Sequence, residues 1–203
     1  PANAEAGGGA SVCRGKWGVG RVDAGGKAYD AFEPGGLLGD TSGVTGAWRG
    51  SVSAPAAQAS GPFGASSNSA WFTGTSSQFF QLPAFTLPNT MSVCGWFAIS
   101  SSMTRNWNRV FDFGNGPNND DLFVGNDGTT TNLRTGVRKG SVTVADSTRS
   151  GGAPANAWKH TCLTISGTSG NFWLDNTEQA FTMSNTRNFD TSLTLNYLGR
   201  SQF

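Results

Sequence analysis

Apolar residues recur at alternate positions in short runs along this chain, and Gly, Asn, Asp and Ser gather between the runs. Met91-Ser-Val-Cys-Gly-Trp-Phe-Ala-Ile99 places Val93, Phe97 and Ile99 on one face and Cys94, Trp96 and Ala98 on the other. Both faces are apolar, so this strand is expected inside a sheet and covered on both sides. Arg109–Phe113, Asp121–Val124, Asn132–Val137, Ser141–Val144, Trp158–Ile165, Asn171–Asp175 and Leu193–Leu198 continue the series. Turn residues separate these runs at intervals of about ten residues, the spacing of a sandwich. Upstream, Ala28–Phe32 reads as a short extended piece, and Ala70–Pro83 as two strands around a small-residue turn. No apolar pattern at i, i+3, i+4, i+7 persists beyond two turns, so almost no helix is expected. The fold class is all-β, a two-sheet antiparallel sandwich. Residues 1–27 are rich in glycine and alanine without a period, and read as a linker or the tail of a preceding module.

Composition narrows the function classes. At 203 residues, 36% of them hydrophobic, the chain suits one large domain. Its 14 Lys+Arg against 13 Asp+Glu create no basic field for nucleic acid or anionic lipid. No apolar run is long enough to cross a membrane, so no direct membrane insertion is expected. Seven Trp and 14 Phe argue for packed strands rather than a disordered linker. A chain opening on Pro1 reads as a piece of something longer.

Cys94 and Cys162 lie in the middle of apolar strands, too far apart in sequence for a CxxC metal motif. Between them falls the loop Phe111-Asp-Phe-Gly-Asn-Gly116. If the two strands were neighbours, opposed residues would come within disulfide reach. Closing so long a loop would stabilise the fold by about 4 kcal/mol in the chain-entropy model. Two buried free thiols are the alternative. Cys13 is left over, either free or paired outside this segment.

Seven motifs stand in a telling order: Tyr29-Asp-Ala-Phe, Leu37-Leu-Gly-Asp-Thr-Ser-Gly, Phe72-Thr-Gly, Met91-Ser-Val-Cys-Gly-Trp-Phe, Arg109-Val-Phe-Asp-Phe-Gly-Asn-Gly, Trp158-Lys-His-Thr-Cys, and Asn196-Tyr-Leu-Gly-Arg-Ser. From residue 28 to the end, the chain resembles the laminin G-like and pentraxin-like domains of the concanavalin A-like jelly rolls. The resemblance implies a jelly-roll sandwich over 28–203 and a disulfide between Cys94 and Cys162. It also implies a further loop and a last strand after Gly-Arg-Ser, so the domain is expected to be one strand short. A neighbouring chain, the N-terminal segment or further residues of the same protein would fill that place.

Candidate chemistry is sparse. Related glucanases need two carboxylates across a cleft, yet the only glutamates are Glu5, Glu33 and Glu178, none with a second carboxylate two positions away on a strand face. No nucleophile pairs with the lone His160 on sequence grounds. Asp120 and Asp121 follow Asn118 and Asn119 before a strand, and a hard cation favours clustered oxygens on a loop. In pentraxins a similarly placed acidic pair ligates calcium, and jelly-roll relatives hold a structural calcium near the turn containing Asp40. Calcium is therefore the candidate cofactor at Asp120, Asp121 and Asp40, set against solvated Asx-turns, which the residues favour. Trp48, Trp107 and Trp173 are candidate sugar-stacking platforms, Trp107 the best placed because it lies in a loop. Asp112 and Asn115 join it as candidate glycan-binding residues.

The expected protein is a non-catalytic adhesion or structural module of a larger extracellular or cell-surface protein. Its expected partners are other modules or chains of that assembly, and glycans. A calcium-assisted lectin-like module is the first rival, and a glycoside hydrolase or lyase of the same fold the second.

Overall fold

A computed structural model describes residues 47–49, 56–58, 69–71, 79–86, 88–101, 107–184 and 192–203, the first three segments by their backbone alone. The expected linker over 1–27, Cys13, Asp40 and the extended piece Ala28–Phe32 lie outside the described residues.

Among the described residues every regular element is a strand: β1 (Ala47–Arg49), β2 (Ala56–Gln58), β3 (Ser69–Trp71), β4 (Phe79–Leu82), β5 (Thr90–Phe97), β6 (Arg109–Gly114), β7 (Asp121–Asn126), β8 (Leu133–Lys139), β9 (Val142–Arg149), β10 (Lys159–Ser166), β11 (Ser169–Leu174), β12 (Ala180–Thr182) and β13 (Leu195–Leu198). They form a seven-stranded sheet in the order β1-β4-β13-β6-β7-β8-β9, a four-stranded sheet in the order β12-β11-β10-β5, and a β2-β3 ribbon. All pairings within these sheets are antiparallel. β12 was not legible in the sequence because it is three residues long with one large apolar side chain, Phe181. β3 and β4 are strands as expected, and β3 pairs with β2 and β4 with β1 and β13, while the expected turn between them lies outside the described residues.

The pleat sorts each strand into two faces. Phe111, Phe113, Leu122, Val124, Leu133 and Val137 of the larger sheet meet Met91, Val93, Phe97, Leu163, Ile165 and Phe172 of the smaller in one buried cluster. Removing each such side chain from water contributes about 1.5–3 kcal/mol. This shared core makes the two sheets a sandwich. The alternate positions of the larger sheet point away from it. Tyr197, Asp112, Phe123, Gly136 and Asp146 form one register row across β13, β6, β7, β8 and β9 on that outer face.

Cys94 and Cys162 are direct register partners, 4.0 Å apart at Cα, and are bonded as a disulfide. Their neighbours Val93 and Leu163 are in the core, so the bridge lies on the opposite face of the smaller sheet. The Phe111–Gly116 segment that these cysteines bracket in sequence belongs to the other sheet. No helix among the described residues is long and apolar enough to cross a membrane.

Reducing the disulfide, or replacing Cys94 and Cys162 together by alanine, is expected to lower unfolding stability by about 3–4 kcal/mol. Denaturant titration of oxidised and reduced protein measures this, and an unchanged midpoint would contradict it.

Candidate functional site

The outer face of the larger sheet gathers more of the predicted residues than any other part of the described structure. At its centre is Asp112 in β6, with 0% of its surface exposed. A carboxylate cannot be buried without partners, and Asp112 has three. Its Oδ2 accepts from Arg109 Nε at 3.2 Å and from the Gln202 backbone N–H at 3.1 Å. Its Oδ1 accepts from Gln202 Nε2 at 2.5 Å.

Residues 109 and 112 would lie on opposite faces of a regular strand. A bulge lets them meet: Arg109 pairs with Gly125 and Phe111 with Val124, which leaves Val110 as the extra residue. Arg109 also donates to the Trp107 carbonyl at 3.1 Å, and its guanidinium lies 4.2 Å from the Phe123 ring centroid. Burial lowers the Arg109 pKa, while the Asp112 charge holds it up. Burial likewise raises that of Asp112, against the pull of Arg109 and of the Gln202 bonds.

A second ion pair lies one row away. Asp121 in β7 is 0% exposed, and its Oδ2 accepts from Arg138 Nη1 at 2.9 Å. Its Oδ1 is buried without a hydrogen-bond partner. Burial raises its pKa to about 6; Arg138 pulls against that rise and the neighbouring Asp112 charge adds to it.

The segment 199–203 covers these pairs. Gly199, in the left-handed region with φ of 76°, turns the chain out of β13. Arg200 then lies over the Phe79 and Tyr197 rings, and Phe203 against Arg138, 5.1 Å from centroid to guanidinium carbon. Gln202 Oε1 accepts from the Gly116 N–H at 2.7 Å, so both ends of its carboxamide are bonded. The sheet allows this approach because Gly114 carries no side chain: a Cβ there would stand 2.7 Å from Gln202 Nε2.

The remaining predicted residues take distinct places. Trp107 stands at the rim of this face, 40% exposed, with φ of 59°. Arg134 lies 5.4 Å from its ring centroid and is itself paired with Asp127 and Asp146. Those pairs, the Asp146 bond foremost, raise the Arg134 pKa. Asn115, in the β6–β7 turn, uses its Oδ1 to accept from the Thr194 N–H and hydroxyl. Asp120 Oδ1 accepts from the Gly140 N–H at 2.6 Å, tying that turn to the β8–β9 turn. The adjacent pair Asp120 and Asp121 thus has separate duties, one capping a turn and the other bound to Arg138. Among the described residues no three His, Cys, Asp or Glu side chains gather as a metal site.

His160 is far from this face in the fold, on the smaller sheet beside Trp96, with burial lowering its pKa. Trp173 is the register partner of Cys162 on that sheet, and Trp48 is described by its backbone alone. The residues that sequence reasoning missed are Arg109, Arg138 and Gln202. The sole available signal was the Gly-Arg-Ser-Gln-Phe ending, whose glycine marks a turn.

A family model described as the concanavalin A-like lectin/glucanases superfamily, Laminin_G_3, matches residues 51–203. The chain belongs to this superfamily. Sheep galectin-11 in complex with glycerol is similar at 10% sequence identity and a TM-score of 0.39, over 58% of this chain and 91% of that one. No curated protein matches. The two antiparallel sheets and the absence of helix among the described residues agree with the concanavalin A-like family.

Because the folded pKa of Asp121 is raised, the native domain binds a proton more readily there than the unfolded chain does. Its contribution to stability therefore grows as pH falls from about 7 through 6 towards 4, and is lost on the way back up, with an amplitude of about 2–3 kcal/mol. Asp121→Asn is expected to flatten this part of the pH–stability curve. Identical slopes for the two proteins in urea melts between pH 4 and 7 would contradict the assignment.

Proposed function

We propose that this domain is a non-catalytic binding and adhesion module of an extracellular or cell-surface protein, taking glycan at Trp107 on the outer face of its larger sheet. The observation carrying this reading is the way Trp107 is held. A bulky residue in the left-handed region costs about 1–2 kcal/mol. Three contacts offset that cost: the Trp107 N–H donates to Gly128 O, its carbonyl accepts from Arg109, and Arg134 stacks on its ring. The result is a half-exposed indole fixed in orientation. Such a ring complements the apolar face of a pyranose at little conformational cost, while Arg134, Asp127 and Asp146 supply donors and acceptors at its margin.

The non-catalytic part of the reading rests on the pairing of the acids on this face, where Asp146, together with Asp127, is held by Arg134. A glycosidase needs both carboxylates to reach the scissile bond or its water. Asp112 and Asp121 are each closed off by an arginine and lie under the segment 199–203. The disulfide fits an oxidising compartment, which supports the extracellular assignment. Other modules or chains of the assembly are the proposed protein partners. The end of the smaller sheet at β5 is where a further strand, from the N-terminal segment, the rest of the protein or a neighbouring chain, would add.

A glycan array, read with calcium and with a chelator, tests the binding and the calcium dependence together. Trp107→Ala is expected to weaken any glycan found at least about tenfold, or 1.4 kcal/mol, without changing the melting curve by more than a few degrees. Silence across a broad array would remove the glycan reading. Reducing ends released from a bound polysaccharide would remove the non-catalytic one.

A further inference from the structure

We infer that the corner formed by Asp112 and the Gly116 N–H is a recognition site for an acetamido group, which the Gln202 side chain occupies as a stand-in within the free chain. This inference rests on the glycan reading and names the class of sugar, a 2-acetamido hexose.

The geometry is that of amide recognition. Gln202 gives one N–H to a carboxylate oxygen, 2.5 Å away, and takes one N–H on its carbonyl, 2.7 Å away. An acetamido group offers the same two functions, a donor and an acceptor on one planar unit. The charged acceptor is fixed in advance, because Arg109 holds Asp112 from the other side at 3.2 Å. The floor is flat, because Gly114 has no side chain beneath the carboxamide. A hydroxyl could donate to Asp112, but it would not span from the carboxylate to Gly116 as the planar amide does.

Two further features make this a ligand site rather than a fixed tie. First, the occupant belongs to no strand: after Gly199 the segment is held by the Arg200 ring contacts, by Gln202 and by Phe203 against arginines. Releasing Gln202 breaks side-chain contacts and one backbone bond, not a ladder. Second, Arg109 links this corner to the proposed sugar platform. Its Nε bonds Asp112 while its guanidinium carbon stands 5.9 Å from the Trp107 ring centroid. Trp107 and the amide corner thus flank a single guanidinium. Bound sugar would stack on Trp107 and place its acetamido group where Gln202 now sits, with Gln202 swinging outward about Gly199.

The test uses the whole chain, its Gln202→Ala variant and calorimetric titration with N-acetylchitotriose and cellotriose, which differ at each ring by the acetamido group. Gln202→Ala is expected to bind N-acetylchitotriose at least tenfold more tightly than the parent chain, because the internal competitor is gone. Its affinity for cellotriose should change less than twofold. Adding Asp112→Asn should abolish the gain. Gln202→Glu, which sets like charge against Asp112 without opening a cavity, should reproduce the gain and decides the matter if Gln202→Ala proves unstable in a thermal melt. An equal gain for both trisaccharides, or none while glycans still bind through Trp107, would overturn the inference and leave the glycan reading standing. A gain confined to glutamine-bearing peptides would overturn the sugar assignment. Failure of every variant to bind any glycan would overturn both.

Discussion

A carboxylate buried in the middle of a sheet is the constraint around which this domain's outer face is arranged. Asp112 sits at mid-β6 with no access to water, and an unpaired charge there would cost several kcal/mol. Its satisfaction recruits three separate pieces of chain: Arg109 from the same strand, the segment 199–203 through Gln202, and, through Gln202 again, the β6–β7 turn at Gly116. Each piece in turn fixes something else. Arg109 holds the Trp107 carbonyl, so the exposed indole and the buried acid share one guanidinium. The same demand for partners therefore explains the bulge, the path of the segment after β13 and the posture of the rim.

The two sheets divide the work. The smaller carries the disulfide between Cys94 and Cys162 on the face away from the core and contributes rigidity. The larger carries the charged and aromatic side chains on its outer face. Its acids are paired with arginines, and its exposed indole at Trp107 lies beside two of those same arginines, Arg134 and Arg109. Asp121 is the costly exception: its unpartnered Oδ1 and raised pKa mark strain that Arg138 relieves only in part.

Much of the fold was legible because strand alternation is a local property. β5 to β11 and β13 fall where apolar residues alternate between turn clusters, and the pairing of Cys94 with Cys162 follows the family resemblance. The short β12 escaped because three residues are too few to display a period. The candidate site was legible only in pieces. Trp107 and Asp112 were identified individually, yet Asp120 and Asp121 looked like a pair although the pleat and the turn give them different partners.

By itself the sequence determined the strands of a sandwich, because periodicity is written along one dimension, whereas the disulfide came only as what the family resemblance implies. Only the tertiary structure decided who stands beside Asp112. The extra residue Val110 reverses the face that spacing would assign to Arg109, and Gln202 arrives from 90 residues away. Neither is encoded in local periodicity, since a bulge appears only when two strands are laid in register. A long-range hydrogen bond appears only when burial leaves a charge in need of it.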